Sequence, residues 1–406
     1  MTATLADKAV AALSDPTLFG VYVHVPFCRS RCHYCDFVTY TGMDALRRPY
    51  AAALLAEADL AVAKLLQVEA EPPTVTSVFI GGGTPTLLPA ADLARVLAHL
   101  RALLPFAPDA EVTVEANPET VTPRLARTLA EAGVNRVSMG AQSFDDQVLA
   151  ALGRTHDARR PAEAIRALRG AAALAGRPLS VNLDLIYGCP GESEASWART
   201  LAAAVALAPD HLSAYALTIE PATRFGRLVA AGRMREPDED LLADRYALTC
   251  EVLAAAGYQH YEVSNWARPG HASRHNRTYW RRGHYLGLGA GAHEFTGETR
   301  RGNTGRVPDY LAAVRAGRRP TAGEELLSAD QARFEALALR LRTSDGLSGA
   351  EARALGADPA GAEAATLRAA GLLAGTPADV QGDPALRLTE RGMFLHGEVV
   401  SRLAPR

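Results

Sequence analysis

At 406 residues the chain is long enough for roughly two to three domains of ordinary size. Its formal net charge of -2, without a long run of Lys or Arg, gives no electrostatic reason to expect a nucleic-acid partner. Five cysteines are too few for a disulfide framework in a chain of this length.

The N-terminus and the hydropathy pattern favour a cytoplasmic location. Residues 1–20 carry acidic side chains and lack the basic-then-apolar order of a signal peptide. No apolar stretch approaches the ~20 residues that a membrane-spanning helix needs. We therefore expect a cytoplasmic protein without a transmembrane segment, which leaves transient membrane association open.

Strand-like and helix-like segments alternate along the first three quarters of the chain. Strands are predicted at 21–25, 75–80, 111–115, 136–140, 179–187 and 211–218, and helices at 44–66, 90–104, 122–132, 193–207 and 238–256. This order is typical of parallel strands joined by right-handed helical crossovers. Six units, rather than eight, predict an α/β fold with a partial (βα)6 barrel.

The pattern changes near residue 305 and predicts a second domain. We assign 1–20 to an N-terminal lead-in, 21–305 to the barrel, and 306–406 to a small C-terminal α+β domain. Its helical segments, followed by a predicted β-hairpin, are similar to a winged helix. Acidic and basic residues are mixed within it, so no basic face for DNA is identified.

Polar residues follow each predicted strand. In barrels of this kind the functional residues collect at the carboxyl ends of the strands. The successive strand ends carry the cysteine loop, "GGGTPT", Glu115 and Asn117, Gln142 and Ser143, Asp184, and Tyr215 with Thr218. We expect these residues to form one polar rim.

Three cysteines share one short loop, namely Cys28, Cys32 and Cys35. The loop could serve a structural zinc ion completed by His24 or His33, a thiol or disulfide function, or an iron–sulfur cluster. Structural zinc usually takes two tight ligand pairs, and no second pair is present because Cys189 and Cys250 are isolated. A cluster held by three thiolates keeps one iron open to a bidentate small molecule, and the spacing favours this use.

The cysteine loop is the first of six motifs that follow one another along the chain. They are "CRSRCHYC", "GGGTPT", "VEANPE", "GAQSF", "LGRTH" and "NLDLIYG". In this order they resemble the radical S-adenosylmethionine (SAM) superfamily. Within it, the chain is similar to the group of the oxygen-independent coproporphyrinogen III oxidase (HemN) and the heme chaperone HemW. The resemblance runs from about Tyr22 to His293.

The resemblance implies a [4Fe-4S] cluster on the three cysteines, with SAM on the fourth iron. An electron donor would reduce the cluster, which cleaves SAM to methionine and a 5′-deoxyadenosyl radical. The resemblance implies contacts to this SAM from Tyr22, Gly82 and Glu115. It implies a second SAM site, as in the oxidase, at Tyr34, Gly83, Thr84, Gln142, Arg154, Asp184 and Ala216.

Departures from the oxidase pattern favour the chaperone branch. The oxidase carries a further cysteine two residues after the third, where this chain has Phe37, and it has a longer N-terminal extension. The segment "HNRTYW" (275–280) matches a heme-binding signature of the chaperone. It implies His275 as an axial ligand and Tyr279 and Trp280 as aromatic faces for the porphyrin, with His293 as a second candidate ligand.

These features predict a heme chaperone that binds heme and transfers it to acceptor apo-proteins such as respiratory cytochromes. The alternative is an enzyme, an anaerobic oxidase that decarboxylates coproporphyrinogen III to protoporphyrinogen IX. A third hypothesis is a zinc-stabilised α/β protein without radical chemistry.

Overall fold

The computed structural model describes residues 15–67, 71–375 and 385–405. Within them, twelve strands form one continuous sheet. The strands are β1 (Phe19–Val25), β2 (Val75–Gly82), β3 (Phe106–Ala116), β4 (Arg136–Gln142), β5 (Ser180–Tyr187), β6 (His211–Ala216), β7 (Gln259–Glu262), β8 (Asn265–Ala267), β9 (His284–Leu288), β10 (His293–Thr296), β11 (Thr299–Asn303) and β12 (Thr321–Leu326).

The helices lie mainly between the parallel strands and in the C-terminal part. They are α1 (Arg47–Leu65), α2 (Ala90–Leu103), α3 (Pro123–Glu131), α4 (Asp146–Leu152), α5 (Arg160–Leu174), α6 (Glu194–Ala206), α7 (Arg224–Ala230), α8 (Glu239–Ala255), α9 (Arg274–Trp280), α10 (Val307–Arg315), α11 (Ala329–Leu341), α12 (Gly349–Ala354), α13 (Ala362–Ala369), α14 (Glu390–Phe394) and α15 (His396–Leu403). Short 3-10 helices lie at Asp44–Leu46, Pro85–Leu87 and Pro118–Thr120.

The sheet confirms the predicted α/β fold. Its order is β12-β11-β10-β9-β1-β2-β3-β4-β5-β6-β8-β7, and β1 to β6 run parallel in chain order. β9 adds a seventh parallel strand beside β1, whereas β10 to β12 and β7 with β8 extend the two edges in antiparallel fashion. The edges are formed by β12 and β7, so the sheet is open, as expected for a partial barrel.

The two faces of the sheet differ in chemistry because side chains alternate along a strand. One face is apolar and buried, with Val21, Val78, Val112, Val137 and Val181 as examples. This face belongs to the main core, in which residues of the surrounding helices also pack. Polar residues occupy the opposite face, which forms the inside of the partial barrel.

Most predicted boundaries of strands and helices agree with the structure to within one to three residues. Two features differ from the prediction, namely the end of β6 and the extent of the sheet. β6 ends at Ala216, two residues before the predicted end. The sheet continues beyond residue 305, because β12 pairs with β11 and ends at Leu326. The division of the chain at 305 and 306 therefore stays a prediction.

Helices α11 to α15 form most of the C-terminal part. Isolated antiparallel bridges join Leu347 to Leu386 and Leu373 to Leu388. Part of the predicted hairpin, residues 376–384, lies outside the described residues, so the similarity to a winged helix stays a prediction. Among the helices of the described residues, none is long and apolar enough to cross a membrane.

Candidate functional site

A cavity of about 470 Å³ opens at the carboxyl ends of the parallel strands. This size is within the range of small-molecule sites. Twelve of the predicted site residues line it: Cys28, Cys32, Tyr34, Cys35, Gly82, Gly83, Thr84, Glu115, Gln142, Arg154, Asp184 and Ala216. Parallel strand ends meet at one edge, so residues that are far apart in sequence share this cavity.

The cysteine loop closes over the end of β1. The backbone N–H of Cys28 donates to the Tyr40 carbonyl at 2.9 Å, and the Tyr40 N–H donates to Pro26 at 2.7 Å. All three thiols are free. Burial raises the pKa of the Cys28 thiol to about 11, so a bound metal is needed to hold it as a thiolate near neutral pH.

Two side chains from other strands reach the cysteine sulfurs. Thr84 Oγ1 lies 3.8 Å from Cys28 Sγ, and Arg154 Nη1 donates to Cys32 Sγ at 3.3 Å. Donors of this kind stabilise negative charge on sulfur and therefore suit thiolates in a cluster.

Neither histidine near the cysteines is poised to complete a zinc site. His24 Nδ1 lies 3.0 Å from the Tyr22 hydroxyl and its Nε2 2.9 Å from the Val38 carbonyl. His33 Nδ1 lies 2.9 Å from the Ala151 carbonyl and its Nε2 2.7 Å from Arg224 Nη1. Both nitrogens of each ring are thus engaged away from the cysteine sulfurs, which disfavours the zinc hypothesis.

Two glycines let the end of β2 approach the cysteine loop. Gly82 has a φ of 113°, which disfavours any residue with a side chain. At Gly83, a Cβ atom would lie 2.7 Å from the Phe27 carbonyl oxygen and 2.9 Å from Cys28 Sγ. Of these glycines, Gly83 is therefore required by the cysteine loop itself.

Two half-buried carboxyl groups, those of Glu115 and Asp184, line the cavity. Glu115 accepts a hydrogen bond from the Gly82 N–H at 3.0 Å. Burial, together with the nearby charge of Asp184, raises the pKa of Glu115 to about 8. Burial also raises the pKa of Asp184, although hydrogen bonds from Asn182 and Ser138 oppose this. Such a pair suits the ammonium, sulfonium or hydroxyl groups of a ligand.

Arg154 and Gln142 also offer polar groups to a ligand in the cavity. Arg154 Nη2 donates to Asn117 Oδ1 at 2.7 Å and to the Gly140 carbonyl at 2.9 Å. Gln142 has a φ of 65°, unusual for a residue with a side chain. Its Oε1 and Arg154 Nε are buried without a hydrogen-bond partner. Backbone strain and unpartnered polar atoms in one cavity are typical of a binding site.

Sequence reasoning missed two polar residues that hydrogen-bond to Asp184. Ser138 lines it and donates to Asp184 Oδ2 at 3.1 Å. Asn182 Nδ2 donates to Asp184 Oδ1 at 2.7 Å, and its Oδ1 lies 2.6 Å from His211 Nδ1. Polar residues within the strands "RVSMG" and "LSVNLDLIY" were the available signal, because they share one face with Asp184.

The "HNRTYW" segment forms α9 and lies at the other end of the barrel. His275 contacts residues near the starts of β1 and β2, and its ring is fully buried, with 0% exposure. Its Nδ1 lies 2.9 Å from Ser77 Oγ, and its Nε2 lies 2.7 Å from the Tyr279 hydroxyl. Burial, with a smaller effect of the Arg136 charge, lowers the pKa of His275 to about 3. The imidazole is therefore neutral, and both nitrogens are hydrogen-bonded.

An aromatic stack separates α9 from the cavity. The Phe79 ring stacks on His275 at 5.2 Å and on Tyr22 at 6.2 Å, measured between ring centroids. Tyr22 pairs in register with Phe79 and does not line the cavity. Its contact with SAM therefore stays a prediction.

The other predicted heme residues have different surroundings. The Tyr279 ring packs edge-on against Tyr285 at 4.6 Å, and Trp280 packs against Tyr261 at 5.9 Å. His293, the second candidate ligand, is exposed at the start of β10. Their contacts with heme stay predictions.

A comparison with known protein families matches the part of the chain that forms most of the cavity. A family model described as the Radical SAM superfamily matches residues 22–204. This range contains the three cysteines and the strand ends up to the Asp184 position. Proteins of this superfamily hold a [4Fe-4S] cluster and SAM. The fold and the site thus define a radical SAM protein.

Curated relatives narrow the assignment. The heme chaperone HemW of Mycobacterium tuberculosis strain H37Rv is 45% identical over 390 residues, covering 95% of this chain and 94% of the relative. HemW of Escherichia coli K12 is 43% identical over 275 residues, covering 68% of this chain and 69% of the relative. The chain therefore belongs to the HemW family.

A solved structure supports the fold. Coproporphyrinogen III oxidase (HemN) of Escherichia coli superimposes with a TM-score of 0.78 and covers 99% of this chain and 93% of its own, at 23% identity. Because the identity is low, this likeness concerns the fold alone.

Proposed function

We propose that this protein is a heme chaperone that binds heme and transfers it to acceptor apo-proteins such as respiratory cytochromes. The observation that carries the proposal is the 45% identity to a curated HemW over 95% of the chain. Similarity of this extent covers the barrel and the C-terminal part, and it therefore concerns more than the shared radical SAM core.

The cavity residues fit a cluster and SAM. Cys28, Cys32 and Cys35 would hold the [4Fe-4S] cluster, and Thr84 and Arg154 would stabilise the negative charge of its thiolates. When bound, the cluster and SAM supply one-electron chemistry at the sulfonium group.

The protein groups around SAM would orient it. The Glu115 and Asp184 carboxyl groups would attract its positive charge or accept from its ribose hydroxyls, whereas the unpartnered Gln142 Oε1 would accept a further hydrogen bond. Gly82 and Gly83 would let the ligand approach the backbone closely.

The mouth of the cavity argues against the oxidase alternative. Phe37 occupies the position of the oxidase's additional cysteine, lines the cavity and is 63% exposed. An exposed phenyl ring supplies no ligand for a metal, unlike the thiol of a cysteine at that position. It offers an apolar contact to a partner, either the acceptor or the electron donor.

Heme ligation by the "HNRTYW" segment requires a conformational change in α9. His275 has no free nitrogen in this structure and its ring is buried, so axial ligation requires the ring to become accessible and one of its hydrogen bonds, to Ser77 or to Tyr279, to break. His293 is exposed and needs no such opening. Heme binding should therefore be slower if His275 is the ligand than if His293 is the ligand.

Heme transfer and decarboxylation should be measured on the same cluster-loaded sample. We expect stoichiometric heme transfer to an apo-cytochrome and no conversion of coproporphyrinogen III with SAM and a reductant. Protoporphyrinogen formation together with absent transfer contradicts the proposal.

Single variants identify the ligand. His275→Ala should change the heme absorbance spectrum and slow its formation if α9 provides the ligand. His293→Ala is the matched variant, since its side chain is exposed. A spectrum that changes only in His293→Ala would move the assignment to β10.

A further inference from the structure

Three metal-ligating side chains meet outside the cavity that holds the cysteine loop. They are Cys250 in α8, His260 in β7 and Glu390 at the start of α14. Their sulfur, imidazole nitrogen and carboxylate oxygen all lie within 4.8 Å of one another. The three residues come from segments that are up to about 140 residues apart, so the fold itself brings them together.

We propose that Cys250, His260 and Glu390 form a zinc site that fastens α14, a short helix of the C-terminal part, to the barrel. A thiolate, an imidazole and a carboxylate are the ligand types that Zn²⁺ takes, and three protein ligands leave one position for water. Calcium and magnesium prefer oxygen ligands alone, so they are excluded by the sulfur and nitrogen.

The geometry needs only a small contraction. Tetrahedral zinc with ordinary bond lengths places its ligand atoms about 3.4–3.6 Å apart. Cys250 and His260 are held by their elements, whereas Glu390 is exposed and can adjust its rotamer. Rotation of the Glu390 side chain can therefore bring its carboxylate closer to the other two ligands, whereas a contraction between the Cys250 sulfur and the His260 nitrogen needs small rotations of those two side chains.

Surrounding residues hold the first two ligands in place. The His260 ring stacks on Trp266 with 4.4 Å between centroids and an interplanar angle of 7°. Tyr246, one turn before Cys250, donates to the Val263 carbonyl at 3.1 Å and packs on Phe394 at 5.3 Å. α14 therefore already rests on α8, and a metal ion would add a directional link between them.

The site is separate from the proposed heme and SAM chemistry. None of its residues lines the 470 Å³ cavity, and none belongs to "HNRTYW". Its function is to stabilise the position of α14, so its loss should affect stability before it affects heme transfer.

Zinc content after equilibrium dialysis tests the proposal. The cluster-loaded protein is used, so that the loop cysteines are occupied, and iron is measured to confirm that it is unchanged. After dialysis against micromolar Zn²⁺, we expect one zinc per chain in the native protein and a higher unfolding temperature than in the zinc-free sample.

Three variants give the test its specificity. Cys250→Ser should lose the zinc, and Glu390→Gln should weaken its binding by about tenfold or more. Cys189→Ser is the matched control, because Cys189 is the other buried free cysteine and should keep native zinc content.

The proposal is overturned if the native protein retains no zinc, or if either ligand variant binds it as the native protein does. Where Cys250→Ser fails to fold, Glu390→Gln decides, because this side chain is exposed and its replacement does not disturb the core.

Discussion

At the scale of single residues, the approach of β2 to the cysteine loop depends on the missing Cβ of Gly83. A methyl group there would lie 2.7 Å from the Phe27 carbonyl and 2.9 Å from Cys28 Sγ. Gly83→Ala should therefore displace the loop at a cost of about 1–3 kcal/mol and reduce iron retention. Iron and sulfide analysis after anaerobic reconstitution measures the effect.

Gly305→Ala is the matched control for this prediction. Its Cβ would meet only Val38 atoms, at 3.4 Å or more, and the position has no positive φ. Full iron content in both variants would show that the glycine is not required by the loop.

Glu115 predicts a pH dependence of SAM binding. Its pKa of about 8 means that the free protein holds this carboxyl protonated at pH 7. A bound cation favours the carboxylate, so binding of SAM should release a proton. Below pH 8 the affinity for SAM should therefore rise with pH, by up to about tenfold per pH unit. Calorimetry in two buffers of different ionisation enthalpy counts the released protons.

Glu115→Gln removes this contribution and serves as the control, since the SAM amino group and the thiols can also release protons. The difference between the two proteins should vanish if Glu115 does not titrate on binding.

For folding, the pH dependence that comes from Glu115 has the opposite sign. The folded chain binds this proton more tightly than the unfolded chain does, so the stability from Glu115 is lost as pH rises from about 4.5 toward 8.

At the scale of elements, Glu111 anchors the helix that carries the heme signature. Its carboxylate accepts the backbone N–H groups of Arg274 at 3.0 Å and His275 at 3.1 Å, at the start of α9. Glu111→Gln should weaken this anchor by about 1.5–3 kcal/mol, the range for hydrogen bonds to a charged group. Hydrogen exchange of the amides in α9 should become faster.

The control for this prediction is Glu119→Gln, whose carboxylate accepts from the Thr155 hydroxyl far from α9. Unchanged exchange in Glu111→Gln would mean that the other contacts of α9, such as the packing of His275 on Phe79, hold the helix without this anchor. If the axial ligand is His275, heme binding should also be faster in Glu111→Gln, because α9 opens more easily.

The strength of local signals explains which elements could be predicted. β1 to β6 were predictable because each contains a short apolar or alternating pattern, β-branched in most of them, and a helical segment follows. β9 was missed because "HYLGL" is short and contains a glycine, and β12 because all six of its residues are exposed and no apolar pattern marks it. The cavity was predictable from the strand-end rule. The burial of His275 was not, because a motif does not reveal which side of α9 packs on the barrel.

At the scale of the whole molecule, the C-terminal part shares its core with the barrel. Val21 in β1, Leu337 in α11 and Leu403 in α15 belong to one continuous cluster of buried side chains. An ion pair between a half-buried Arg342 and a buried Glu262 adds to this contact, because Arg342 Nε donates to Glu262 Oε1 at 2.6 Å. A shared core implies that the C-terminal part unfolds together with the barrel rather than before it.

The buried carboxylate of Glu57 makes this coupling testable. It lies in α1 with 0% exposure. Its oxygens accept from the Gly289 N–H at 2.7 Å, Asn303 Nδ2 at 2.6 Å and the Tyr310 hydroxyl at 2.8 Å. These partners belong to the turn after β9, to β11 and to α10, so one side chain joins the barrel to the segment beyond residue 305. Glu57→Ala leaves three donors without an acceptor, at about 1–3 kcal/mol each.

We therefore expect Glu57→Ala to lower the free energy of unfolding by several kcal/mol in a single denaturant transition, with α10 and the barrel losing structure together. Hydrogen exchange in α10 and tryptophan fluorescence follow the two parts separately. Glu325→Ala, an exposed carboxylate on β12, should change stability by less than about 0.5 kcal/mol. Two separated transitions, or native stability in Glu57→Ala, would show that the segment beyond residue 305 is held independently of α1 and that the division of the chain at that point is a true domain boundary.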